Sequence, residues 1–206
     1  PRYASRWNLS EAAVYAHAVM LLSLRGSACL YQGEELGLHE ADVAFEDLQD
    51  PYGIGFWPEF KGRDGCRTPM VWETQSEHAG FGDGKPWLPV SAEHLSKSVE
   101  AQDGTPGSML TFYRDLIAFR KKQMPLLKGI YELLHADETH IRFVREHDGK
   151  AVLCAFNLSD EEQTFDLPTG DWTIDTNAPF TLSQDGAKVT LPAWQAAFAG
   201  GDKGNG

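Results

Sequence analysis

The change of hydrophobic period at Pro125 most constrains what this chain can fold into. Before it, apolar residues fall at helical intervals, with one stripe through Ala12, Ala13, Ala16, Val19, Met20 and Leu24 and another through Met109, Phe112, Tyr113, Leu116 and Ile117. After it come short runs rich in Val, Ile, Phe, Thr and Trp: Ile130 to Leu134, His140 to Arg145, Lys150 to Asn157, Gln163 to Leu167, Trp172 to Asp175, Ala187 to Leu191 and Trp194 to Ala199. Turn signals at His147-Asp148-Gly149, Thr169-Gly170-Asp171 and Asp185-Gly186 separate the runs. Side chains in a strand alternate between faces every two residues and cannot present a helical stripe. The chain therefore divides into a helix-containing front and an antiparallel β back.

The front has its own order. A helix runs from Asn8 or Ser10 to Arg25, with Ser10 and Glu11 as start signals and Gly26 as the stop. The run Ala28 to Tyr31, bounded by Gly26 and Gly33, reads as a buried parallel strand, and a helix followed by such a strand is an α/β signature. From Gly33 to Gly107 the sequence is dense in Gly, Pro, Trp and Asp, with only a short helical pattern around Glu93 to Ala101. So much irregular chain in a folded domain signals a binding or catalytic surface. Pro106 opens a second helix, which closes on Arg120, Lys121 and Lys122 before Pro125. The expected domains are residues 1–125, an antiparallel β domain at 126–200 and a flexible tail at 201–206.

Charge and cysteine usage narrow the function classes. A formal net charge of -12 repels phosphate backbones and anionic lipid, so neither nucleic acid nor a membrane surface is expected as a partner. Cys29, Cys66 and Cys154 lie far apart with no CxxC or Cys/His spacing and read as reduced, structural thiols. The histidines form neither H-x-H nor H-E-x-x-H, so no metal and no cofactor is expected. Asp42, Glu46 and Asp47 read as solvated loop acids rather than a calcium site. The longest apolar run, Ala18 to Leu24, is far short of a bilayer span and lacks a charged leader before it, which argues for the cytoplasm. The opening PRYASRW, with no Met, looks cut from something longer, and that leaves a periplasmic location open if a signal was lost upstream.

The segment Lys61 to Trp72, KGRDGCRTPMVW, packs two guanidiniums, a carboxylate, two glycines and a proline into a polar site. Together with PRYASRW, LYQGEELGL at Leu30 to Leu38 and HAGFGDGKPWLPV at His78 to Val90, in that order of motifs, the chain resembles the α-amylase superfamily of glycoside hydrolases, specifically its α-glucosidase and oligo-1,6-glucosidase branch. The resemblance implies an α/β plus all-β fold. Ser10 to Arg25 would be the seventh helix, Ala28 to Tyr31 the eighth strand and Pro106 to Lys122 the eighth helix of a (β/α)8 TIM barrel, followed from about Leu127 by an antiparallel β-sandwich. Gln32 to Gly107 would then lie at the C-terminal end of the barrel strands and build the pocket rim.

The resemblance also implies retaining hydrolysis of α-glucosides by two carboxylates, with a further Asp stabilising the transition state. In the family that Asp belongs to an Asn-His-Asp motif directly before the Pro-Arg matching Pro1 and Arg2, and the other two stand further upstream. None of the three is in this sequence. The expected partners are therefore a small α-glucoside or oligosaccharide and an N-terminal part of the same enzyme, and the chain alone should be inactive. The family's GRD arginine, Arg63 here, reaches the glucose; the alternative is pairing with Asp64 or Glu59. Gln49 and Asp50 fall near where the leaving-group sugar sits, with a solvated polar loop as the alternative. Arg67 is expected to pin the Thr68-Pro69 turn, and Glu34 and Glu35 to hold loops. Tyr52, Phe56, Trp57, Trp72, Phe81 and Trp87 are expected to form the private core of the loop region, with at most two lining a pocket. Two other classes stand beside this reading: a glucosyl-transferring or isomerising relative such as a sucrose isomerase or trehalose synthase, and an autonomous carbohydrate-binding module, against which the helix-strand-helix segment argues.

Overall fold

A computed structural model describes residues 2–6, 8–175, 178, 183–185 and 187–203. Pro1, Trp7, Gly186 and residues 204–206, on which the readings of PRYASRW, the Asp185-Gly186 turn and the tail partly rest, lie outside them. In chain order the helices are α1 (Tyr3–Arg6), α2 (Glu11–Ser23), α3 (Pro51–Gly55), α4 (Ala92–Leu95), α5 (Val99–Gln102), α6 (Met109–Lys122) and α7 (Met124–Lys128). The strands are β1 (Ile130–Ala136), β2 (His140–His147), β3 (Lys150–Asn157), β4 (Gln163–Asp166), β5 (Gly170–Ile174), β6 (Ser183–Asp185), β7 (Lys188–Leu191) and β8 (Ala196–Lys203). No described helix is long and apolar enough to cross a membrane. The chain packs into two compact units, Pro1–Leu9 with Leu30–Phe112, and Ser10–Cys29 with Tyr113–Gly206.

The first unit is built mostly of loops and short 3-10 turns. Two small aliphatic clusters hold it, one of Leu36, Leu38, Met70, Val71 and Ala79 and one of Val43, Leu48 and Leu88. The aromatic private core expected from sequence does not form. Tyr52, Phe56, Trp72, Phe81 and Trp87 are exposed, and only Trp57 packs partly against an aliphatic cluster. Polar side chains supply the missing cohesion: buried Gln102 donates from Nε2 to the Leu36 and Lys97 carbonyls at 3.0 and 2.9 Å and accepts from the Leu110 amide at 3.1 Å. The helical pattern at Glu93 to Ala101 resolves into α4 and α5, because Ser98 breaks it and caps α5 by accepting from the Ala101 amide at 3.2 Å.

The second unit is an antiparallel sandwich with helices. One sheet runs β1-β2-β3-β8-β5 and the other β4-β7-β6. Strand β3 lies inside the larger sheet with both faces covered, which explains its unbroken apolar run Ala151 to Phe156. On one face Ala155 and Ala197 meet Phe165, Val189 and Leu191 of the smaller sheet. On the other, Phe143, Cys154 and Phe198 align as register partners, and Phe198 packs on Phe119 of α6 with ring centroids 4.9 Å apart. Asn157 closes β3: buried, it donates from Nδ2 to the Glu161, Leu191 and Pro192 carbonyls and accepts from Ser159. Burial pushes the Cys154 thiol far up, so it stays protonated.

Helix α2 begins as its sequence predicts, with Ser10 accepting from the Ala13 amide at 3.2 Å. Its end is held by two arginines that no local signal marked. Fully buried Arg145 of β2 donates to the Ser23 and Gly129 carbonyls at 2.9 Å each, and Arg120 of α6 donates to the Leu22 and Gly26 carbonyls. Cations here satisfy orphan carbonyls at the negative end of the helix.

Three expectations need correction. Ala28 to Tyr31 forms no ladder with any described residue, and Cys29 and Tyr31 are exposed rather than buried, because a strand needs neighbours for its amides and faces. Gly201, Asp202 and Lys203 belong to β8 and pair with Trp172, Asp171 and Gly170 of β5, so the stretch read as tail is partly sheet. The second helix starts at Met109, where the Ser108 hydroxyl accepts from the Thr111 amide, and not at Pro106.

Candidate functional site

The sequence motifs converge on the first unit through named bonds. Arg2, 1% exposed, donates to the carbonyls of Gln32 at 2.9 Å and Cys66 at 3.4 Å, joining the chain start to the LYQGEELGL and GRDGC segments. Arg67 lies over the Trp87 ring at 5.2 Å, which brings in the HAGFGDGKPW segment.

At the centre of the GRD segment two buried carboxylates organise the loop. Asp64 is fully buried; its Oδ2 accepts from the Gln49 and Asp50 amides at 2.6 and 2.7 Å, and its Oδ1 accepts from Arg67 Nη2 at 2.6 Å. Asp50, 2% exposed, caps α3 by accepting from the Tyr52 amide at 3.1 Å through Oδ1. Its Oδ2 accepts from the Arg63 amide at 2.9 Å and from Arg63 Nε at 3.4 Å. Burial pushes the Asp50 carboxyl up, but the hydrogen bonds from the Arg63 and Tyr52 amides and from the Arg63 side chain outweigh it and hold the group below its ordinary value.

Close packing dictates both glycines of the motif, Gly62 against Asp50 and Gly65 against Ala41. A Cβ on Gly62, whose φ is +73°, would sit 2.9 Å from the Asp50 Cβ, and a Cβ on Gly65 would sit 2.3 Å from the Ala41 carbonyl oxygen. The Ala41 amide in turn donates to the Gly65 carbonyl at 2.9 Å.

The three residues expected at substrate thus separate. Arg63 has a side chain 64% exposed, tied at Nε to Asp50 rather than to Asp64 or Glu59. Gln49 is exposed and lines a cavity of about 550 Å³ together with Glu46, Asp47, Lys85 and Trp87. Asp50 is enclosed with its carboxylate fully engaged, so the loop position that suggested sugar contact instead makes it a holder of Arg63. Arg67 grips Asp64, with Asp50 at 3.7 Å, rather than the Thr68-Pro69 turn. Glu34 and Glu35 accept from the Tyr31 and Gly33 amides and hold loop backbone; burial raises the Glu34 carboxyl above its ordinary value. Asp42 pairs with Lys61 at 2.6 Å.

The motif singled out Arg63, whose side chain is exposed and tied to Asp50, but did not single out Asp64 as the pivot of the loop. The signal was present: an Asp between two glycines and two arginines is placed to accept from several donors.

Two family descriptions match the chain: alpha amylase, catalytic domain, at residues 1–129, and maltogenic amylase, C-terminal domain, at residues 131–197. A probable alpha-glucosidase from Rhizobium meliloti is 46% identical over 202 residues, covering 96% of this chain and 36% of that protein. An oligo-1,6-glucosidase from Heyndrickxia coagulans is 32% identical over 196 residues, covering 84% of this chain and 35% of that protein. Among solved structures, the alpha-glucosyl transfer enzyme XgtA is 46% identical with a TM-score of 0.89, covering 97% of this chain and 38% of that one. The trehalulose synthase MutB from Pseudomonas mesoacidophila is 27% identical with a TM-score of 0.76, covering 92% and 38%. The chain spans little more than a third of the length of these proteins.

Proposed function

Because this chain belongs to the α-amylase family of glycoside hydrolases, we propose that it is the C-terminal portion of a retaining α-glucosidase that releases terminal α-linked glucose from short oligosaccharides. One observation carries the reading: the Arg63 guanidinium is tied on one side to a buried carboxylate and exposed on the other. Such a fork offers planar donors in a fixed direction, which suits neighbouring sugar hydroxyls. Arg63 holds the glucose, exposed Gln49 is the second sugar contact at the cavity rim, and Asp50 acts through Arg63 as a positioning residue. The nucleophile, the acid/base carboxylate and the transition-state-stabilising Asp come from an N-terminal part of the same enzyme, in keeping with the 36% share of the Rhizobium meliloti protein that this chain spans.

A second reading is glucosyl transfer, favoured by the 46% identity to XgtA, which is described as a transfer enzyme. Both reactions pass through the same covalent glucosyl-enzyme; water resolves it in one and a sugar hydroxyl in the other. Product analysis with the complete enzyme separates them: free glucose as the main product from maltose or isomaltose supports hydrolysis, and longer or isomeric sugars replace it with transfer. The isolated chain is expected to turn over no chromogenic α-glucoside, and measured turnover would sink the assignment of the carboxylates upstream.

In the complete enzyme, Arg63→Lys is expected to lower kcat/KM nearly as much as Arg63→Ala. A lost charged hydrogen bond is worth about 1.5–3 kcal/mol, or roughly tenfold to a hundredfold, and a point charge cannot reproduce the fork. Near-normal activity of the Lys variant would remove Arg63 from the sugar site.

A further inference from the structure

The hairpin joining β1 to β2 gathers three metal-ligating side chains that the sequence pattern did not connect. Its turn is closed by Asp137, whose Oδ1 accepts from the Thr139 amide at 2.7 Å, the Thr139 hydroxyl at 2.8 Å and the His140 amide at 2.8 Å. Just before the turn the register slips: Leu133 pairs with Phe143, but His135 pairs with Arg142. This bulge moves His135 to the sheet face that carries Arg142 and His140; an unbroken register would have left it on the opposite face. His135 Nε2 then lies 2.9 Å from Asp137 Oδ2, and His140 Nδ1 lies 3.4 Å from Asp137 Oδ1. One donor atom from each of the three residues falls within 4.8 Å of the others.

We propose that this hairpin binds a divalent transition-metal ion of the zinc class through His135, Asp137 and His140, with water completing the coordination. Two imidazoles and one carboxylate suit such an ion, whereas calcium and magnesium take oxygen ligands and have too few here. Metal entry at His135 Nε2 replaces its hydrogen bond to Asp137 Oδ2, and the single N–H of the neutral ring then sits on Nδ1.

One ring must turn for this. His135 and His140 are stacked with centroids 4.2 Å apart and planes 9° apart, and parallel rings share no point lying in both planes. His140 is also stacked on Phe165, with planes 3° apart, so His135 is the ring that rotates about its broad terminal torsion. The expectation of no metal cluster rested on motif spacing; the bulge brings together donors that His135-Ala136-Asp137-Glu138-Thr139-His140 does not present as a recognised motif.

Zinc sulfate titrated calorimetrically into the full chain is expected to show one saturable site. His135→Ala and His140→Ala should each weaken it more than about tenfold, since each removes one of three protein ligands. Asp137→Asn keeps an oxygen for the turn and removes only the charge; it should weaken binding while circular dichroism stays unchanged. In histidine ring spectra of the unsubstituted chain, the signals of His135 and His140 should move with zinc and those of His17 and His94 should not, a readout that does not depend on any variant folding. Absence of saturable binding, or binding that leaves the His135 and His140 signals in place, overturns the proposal.

Discussion

Asp64 in the loop region and Phe156 in the β region are both fully buried, and they hold their surroundings by different physics. Phe156 sits in a strand paired on both sides, stacked on Phe143 at 5.6 Å, where area removed from water provides the cohesion. Asp64 sits in a 3-10 turn with no ladder around it and holds two amides and a guanidinium. The difference teaches where precision is placed. Sheet and apolar core give bulk stability, while carboxylate clamps aim one arginine and leave aromatic rings on the surface.

The sharpest way to break this comparison is amide exchange on the isolated chain. Amides of Lys150–Asn157, paired with β2 and β8, are expected to exchange only when the β region opens as a whole, at a cost of several kcal/mol. Those of Ala28, Cys29 and Leu30 should exchange near the unprotected rate, since no described strand pairs with them, and that of Tyr31 is held only by Glu34 Oε2 at 3.0 Å. Equal protection in a proven monomer would give that segment a fold of its own. Next in size, Phe156→Ala should destabilise the β region by about 3–5 kcal/mol through its cavity, read as a shifted denaturant midpoint. A loss under 1 kcal/mol would mean the sandwich is held by something other than packing. Smaller, at about 1–3 kcal/mol, is Asp64→Ala, which strands the Gln49 and Asp50 amides and Arg67. Limited proteolysis should then cut within residues 33–107 while the β region stays intact; unchanged cleavage would remove Asp64 from its pivotal place.

The β strands were legible because period and turn residues are local: Lys150–Asn157 forms as read, and the other runs shift by a few residues at their ends. The three-residue β6 was not, since Ser183–Asp185 has no alternation long enough to mark it. Arg63 was legible only through its motif, and the aromatic residues around it misled, because a hydrophobic side chain in a loop carries no record of what covers it.

By itself the sequence determined the change from helical to strand period, the helix start at Ser10, the order of the motifs and hence the family, all properties written in neighbouring residues. Tertiary structure alone decided that Asp50 grips Arg63 thirteen residues away, that Arg145 meets a carbonyl 122 residues away at the end of α2, and that a bulge turns His135 toward His140. Those pairings depend on chain closure across long separations and on a one-residue slip in register, and neither leaves a periodic or compositional trace in the residues that carry it.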